Sequence, residues 1–171
     1  DVVLDGGPSR VGLESTILDC TGARPVVLRP GAVGAAEVAA ACGVEPGPAS
    51  DRSRAVRAPG TLAAHYAPAA EVLVAADASE GAALLAGGVR GPGPEVGLLA
   101  TAEVPTPPGV VRLAAPDGDS AYAHALYGAL READALGLAR VVAVLPAGAG
   151  PLVDAVRDRL RRAATGSARP S

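Results

Sequence analysis

Residues 71–87 read EVLVAADASEGAALLAG, and this stretch decides the fold. Its first six residues form a short apolar run with valine at alternate positions, and beyond Asp77 the spacing becomes helical. The alternation continues with strand EVGLLAT (95–101), strand VVRLAA (110–115), a helix over 120–137, strand ARVVAVLPA (139–147) and a helix over 151–164. Strands alternating with helices imply a small parallel α/β sheet with helices on its faces. In the helix at 120–137, Tyr122, Leu126, Ala129, Leu130, Ala133 and Leu136 recur at three- and four-residue steps and make one apolar stripe. Asp119 or Ser120 can cap its start and Gly137 can end it. His124 falls off the stripe and reads as a solvated helix histidine. In the last helix Pro151 suits the first turn, and Leu152, Val156 and Leu160 turn inward. Its arginine cluster, with Asp158 near Arg161 and Arg162, reads as a solvated face.

Upstream, residues 2–43 read as strand VVLD, strand VGLESTILD, strand PVVLRPG and a short helix AAEVAAAC closed by Gly43, the tail of a larger sheet domain. Residues 44–70 lose periodicity and fill with Pro, Gly, Ser and charge, as an interdomain linker does. The chain opens inside a strand-like run and contains no Met, so it reads as a fragment of a longer protein.

Composition excludes several classes. With 49% hydrophobic residues a core is affordable, but Phe, Trp and Met are absent, so Val, Leu and Ala must fill it. Net charge −3 and three Tyr give neither the basic patch nor the stacking surface of a nucleic-acid binder, so no direct nucleic-acid partner is expected. Cys20 and Cys42 lack CxxC spacing and read as buried reduced thiols, not as a zinc or redox pair. No apolar run approaches the roughly 18 residues of a membrane span and no signal peptide is evident, so a cytoplasmic protein is expected.

Three peptides carry chemistry: DGGPSRVGLESTILD (5–19), LRPG (28–31) and APGTLAAHYAP (58–68). The first sets a glycine pair and the hydroxyls of Ser15 and Thr16 where a polar ligand can approach backbone closely. The second holds the always-charged Arg29 between a strand and a Pro-Gly turn. The third puts His65 and Tyr66 in a Pro-bracketed loop of the kind that covers binding sites. In that order they point to an ATP-using site.

These motifs, in this order, resemble the two-domain form of threonylcarbamoyl-AMP synthase. The resemblance implies an α/β protein: residues 1–43 as the end of a YrdC-like catalytic domain, 44–70 as a linker and lid, 71–165 as a small Rossmann-like parallel α/β domain, and 166–171 as a disordered tail. It implies a nucleotidyltransferase reaction in which L-threonine, bicarbonate and ATP give threonylcarbamoyl-adenylate and pyrophosphate, with magnesium expected. Downstream proteins would then transfer the threonylcarbamoyl group to an adenosine of tRNA. Carried over residue by residue, Ser15 contacts threonine, while Arg29 and Tyr66 contact ATP. Glu14, Thr16 and His65 take supporting roles, and no residue is assigned as catalytic or as a metal ligand. Attack by a carbamate on phosphorus releases no proton, so His65 is not needed as a base. In an ideal strand Glu14 and Ser15 would face opposite sides, so only one could line a given cavity.

The lid motif departs from the family, with Ala58, Leu62, Ala63 and Ala64 where serine and basic residues are common. Arg52, Arg54 and Arg57 lie just upstream and could supply the missing charge, or be solvated linker residues. The rival reading is a stand-alone accessory or regulatory α/β domain that binds a small ligand without catalysis. Limited proteolysis of the 171-residue chain is expected to cut within 44–70. Cleavage inside 71–165 with 44–70 protected would overturn that boundary.

Overall fold

A computed structural model describes residues 2–7, 9–47, 67–88 and 95–167. Along the chain lie β1 (Ile17–Asp19), β2 (Val26–Arg29), α1 (Ala35–Cys42), β3 (Glu71–Ala75), α2 (Ala78–Gly88), β4 (Val96–Leu99), β5 (Val110–Ala114), α3 (Asp119–Ala135), β6 (Arg140–Val144) and α4 (Pro151–Ser167). The last four strands form one parallel sheet, as the alternation of strands and helices implies, in the order β3-β6-β4-β5.

The two central strands show why. All four residues of β4 are buried, as are four of the five in β6, the continuous apolar reading of a strand covered on both faces. Within β6 the side chains still alternate. Val141 and Ala143 join Leu126, Leu130, Val156 and Leu160 from α3 and α4, whereas Val142 and Val144 join Leu85 from α2 on the opposite face. A slip of one residue would exchange those two sets, so the pairing Val72 with Val141 and Leu98 with Val142 is fixed by both cores at once. Each fully buried Leu or Val on these faces contributes about 1.5–3 kcal/mol relative to exposure.

The passage from β4 to β5 is the one crossover between adjacent parallel strands here without a helix, and an arginine replaces it. Arg112 on β5 donates from Nε to Ala114 O at 2.9 Å and from Nη1 to Val104 O at 2.8 Å and Thr106 Oγ1 at 3.1 Å. Its Nη2 donates to Ala100 O at 3.1 Å and Thr101 O at 2.7 Å. The planar fork thereby gathers four crossover carbonyls, of which Thr101 O also accepts the Val104 N–H at 3.0 Å and Ala114 O the Ala100 N–H at 3.5 Å. Tyr122 does the same from α3, donating its buried hydroxyl to Val144 O at 2.7 Å, and burial pushes that hydroxyl's pKa up.

Before the sheet, β1 and β2 form an antiparallel pair, and α1 follows, closed by Gly43 in the left-handed region at φ 69°. The Glu37 carboxylate accepts the Gly34 N–H at 2.8 Å at its start. Several expectations are corrected. Residues 2–5 are irregular and Val2, Val3 and Leu4 are exposed; the strand expected over 11–19 is regular only at Ile17–Asp19. Extended residues hold a ladder only where a partner faces them, and β2 reaches no further. Cys20 and Cys42 are free thiols, but both are exposed, because α1 buries only Val38 and Cys20 lies just past the β1 pairing. The terminal helix runs two residues into the expected tail, since Ser167 Oγ accepts the Val72 N–H of edge strand β3 at 2.9 Å. The arginines of α4 are not all solvated: Arg159 is buried. Gly137 ends α3 at φ 64° as expected, but neither Asp119 nor Ser120 caps its start with a side-chain hydrogen bond. Among the described residues no helix is long and apolar enough to cross a membrane.

Replacing Arg112 by Met keeps the stem and removes all five hydrogen bonds. We expect a loss of about 2–3 kcal/mol in urea unfolding of the 171-residue chain. An unchanged midpoint would show that water satisfies the crossover carbonyls equally well.

Candidate functional site

A cavity of about 480 Å³ opens between residues 9–18 and 32–38. Ser15 and Thr16 line it together with Arg10, Glu14, Leu18 and Val38. The volume falls in the usual range for small-molecule sites, and the walls are mostly apolar with a few polar groups.

Three contacts shape the wall. The Thr16 hydroxyl donates to Val33 O at 2.7 Å, tying the first motif to the segment after LRPG. The guanidinium of Arg29, 7% exposed, donates from Nε and Nη2 to Ser15 O at 3.1 and 3.0 Å. Gly31 lies so close that an added Cβ would run into the Thr16 N–H and fall 2.8 Å from Thr16 Oγ1. The Pro-Gly turn of LRPG is therefore a packing requirement, as only glycine lets the two segments meet.

Glu14 and Ser15 both contribute to the cavity wall, contrary to the strand alternation expected for them. Residues 13–16 are not a regular strand, so the two-residue period does not apply. The Glu14 carboxylate accepts the Tyr127 hydroxyl at 2.8 and 3.0 Å and Arg159 Nε at 2.8 Å. Arg159 also donates from Nη1 to Asp158 Oδ2 at 2.6 Å and from Nη2 to Pro30 O at 3.0 Å. Burial alone would raise the Glu14 pKa, but the hydrogen bonds from Arg159 and Tyr127 and the Arg159 charge outweigh it and hold the carboxyl below its ordinary range. Burial and the same carboxylate push the Tyr127 hydroxyl up. Gly12, at φ 78°, presses against the backbone of His124, whose side chain is exposed as expected. The segment carrying the first motif is thus docked on α3 and α4.

Ser15, Thr16, Glu14 and Arg29 are brought together here. His65, Tyr66, Arg52, Arg54 and Arg57 lie outside the described residues. The chain beyond them is anchored: Asp134 Oδ1 accepts the N–H of Ala69 at 2.8 Å and of Ala70 at 3.4 Å. Among the described residues no three His, Cys, Asp or Glu side chains converge as a metal site would need. Tyr127 and Arg159 escaped the sequence reading. The available signal was Arg159's place beside Leu160, at the edge of the inward face of α4.

Residues 31–165 match the family model described as the C-terminal domain of threonylcarbamoyl-AMP synthase. A Pyrococcus abyssi protein named threonylcarbamoyl-AMP synthase is 39% identical over 77 residues, covering 43% of this chain and 23% of the relative. A Bacillus subtilis protein of that name is 36% identical over 104 residues, covering 59% of this chain and 30% of the relative. The crystal structure of P. abyssi Sua5 complexed with L-threonine matches with a TM-score of 0.71 and 30% identity, over 95% of this chain and 49% of that one. The chain therefore spans less than a third of these curated relatives and about half of the solved neighbour. The neighbour shares the mixed α/β architecture with its parallel sheet flanked by helices.

A carboxyl whose pKa is lowered by folding contributes stability above its unfolded value, around pH 4, and loses it as pH falls through the folded value. Glu14→Gln is expected to cost about 2–3 kcal/mol at pH 7, with Asp158 still beside Arg159. Parent and variant should converge as urea unfolding is repeated down toward pH 3. A difference independent of pH would show that the Glu14 charge does not hold the seam.

Proposed function

The chain belongs to the threonylcarbamoyl-AMP synthase family through its C-terminal domain, and on that premise we propose that it takes part in making threonylcarbamoyl-adenylate for tRNA modification. Bicarbonate loses hydroxide to give CO₂, the threonine nitrogen bonds to its carbon, and the proton that nitrogen sheds leaves with the hydroxide as water. An oxygen of the resulting carbamate attacks the α-phosphorus of ATP, and the bond to pyrophosphate breaks. Both partners are anionic, so catalysis rests on positioning and on cations that offset developing charge.

The observation that carries the reading is the Ser15–Thr16 cavity backed by the buried Arg29, in a chain whose solved neighbour is a protein complexed with L-threonine. A hydroxyl at Ser15 suits the polar groups of an amino acid. Arg29 suits ATP phosphate, and its two bonds to Ser15 O fix the plane of the guanidinium. Tyr66 reaches the nucleotide from the lid, and Glu14, Thr16 and His65 support the site. Magnesium is expected to accompany ATP, and no step is assigned to it. The whole protein works in the cytoplasm, with transfer proteins downstream, and the 171-residue chain alone makes no adenylate.

The test is pyrophosphate release dependent on threonine and bicarbonate, measured on the product of the native reading frame. Ser15→Ala should raise the threonine KM about tenfold, the worth of one hydrogen bond, and leave the ATP KM near the parent value. Arg29→Ala should impair ATP use by roughly 30-fold or more, and Arg29→Lys should restore only part because the fork is lost. If Arg29→Ala lowers the melting temperature alone, Arg29 is a packing partner of Ser15. Release by the isolated 171-residue chain would refute the assignment of inactivity.

A further inference from the structure

We infer that Arg159, on the last helix and outside the cavity wall, is a positioning residue that holds the two substrate-binding segments in register with each other. The inference rests on the reading of the Ser15–Thr16 cavity, with Arg29 behind it, as the substrate site.

Arg159 Nε reaches the carboxylate of Glu14, the residue before Ser15, and Nη2 reaches the carbonyl of Pro30, the residue after Arg29. Ser15 O in turn receives both Nε and Nη2 of Arg29. A closed circuit results: Arg159 to Glu14, along the backbone to Ser15, across to Arg29, along to Pro30 and back to Arg159. Ser15 and Arg29 are therefore each the chain neighbour of a residue that the same guanidinium holds. Tyr127 clamps Glu14 from a second helix, so the carboxylate cannot swing while Arg159 stays in place.

Two features separate this from ordinary seam packing. The Arg159 side chain is 5% exposed, so its charge has been taken out of water at a cost that an apolar side chain would avoid. What an apolar side chain cannot do is direct three acceptors into one plane. Glu14, Asp158 and Pro30 lie on three different donor nitrogens of the fork. A lysine ammonium, a single point with three donors, cannot span them at those directions. Misplacement of a binding group by about 1 Å is enough to cost on the order of a hundredfold in rate. Fixing the spacing between Ser15 and Arg29 is thus a functional requirement that this geometry meets.

The experiment uses the product of the native reading frame with Arg159→Lys, Tyr127→Phe and Ser15→Ala compared side by side for kcat, both KM values and melting temperature. Loss of folded protein alone lowers kcat and leaves KM unchanged. A positioning role instead raises the threonine KM, on the order of tenfold for Arg159→Lys. Tyr127→Phe, which loses one clamp on Glu14, should move the threonine KM the same way by a smaller factor and serves if Arg159→Lys does not fold. If Ser15→Ala raises the threonine KM while Arg159→Lys and Tyr127→Phe keep the parent KM, the positioning role is wrong and the site reading stands. If Ser15→Ala leaves the threonine KM unchanged, the site reading fails and this inference falls with it.

Discussion

A guanidinium withdrawn from water must meet acceptors around its in-plane N–H edge, and that constraint at Arg159 organises the molecule. The residue sits on α4, but its partners Glu14 and Pro30 come from the opposite end of the chain. Leaving such a charge buried and unpaired costs several kcal/mol, so residues 9–34 and the helices they touch are held as one body. Close approach reinforces the bond network. Gly12 rests on the backbone of α3 and Gly34 on Pro151 at the start of α4, contacts that any larger side chain would push apart.

The parallel sheet supplies the rigidity behind that seam. Its central strands are buried on both faces, and α3 and α4 share one core with them. Helix α3 therefore presents fixed points. Tyr127 on it touches the segment carrying the first motif, and Asp134, two turns along the same face, holds the backbone of Ala69 and Ala70 beyond the HYAP motif. One rigid rod thus meets the chain both before and after residues 48–66.

Arginine does much of the work that lysine or aromatic residues share in other proteins. Arg112 replaces a helix over the crossover from β4 to β5, Arg157 donates to Pro146 O and Gly148 O after β6, and Arg29 and Arg159 shape the cavity. Each uses the same property, several directed donors on one plane, to satisfy main-chain carbonyls where the chain leaves regular structure.

Local pattern alone was enough for much of this protein. The change of period after Asp77 and the stripe Tyr122-Leu126-Leu130 placed the α/β unit, and glycines at 43 and 137 placed the ends of α1 and α3, because hydrophobic spacing and capping act within a few residues. The motifs likewise singled out Ser15 and Thr16, which line one cavity, and Arg29, which bonds Ser15 O behind it, since glycine and proline announce unusual backbone nearby. Local pattern misjudged Cys20, Cys42 and the strand over 11–19, whose exposure and regularity depend on what lies opposite. The strand order β3-β6-β4-β5, the docking of Gly12 on α3 and the burial of Arg159 against Glu14 were decided by tertiary structure. Residues 145 positions apart carry no mutual signal in one sequence; only the folded chain brings that carboxylate and that guanidinium within 2.8 Å.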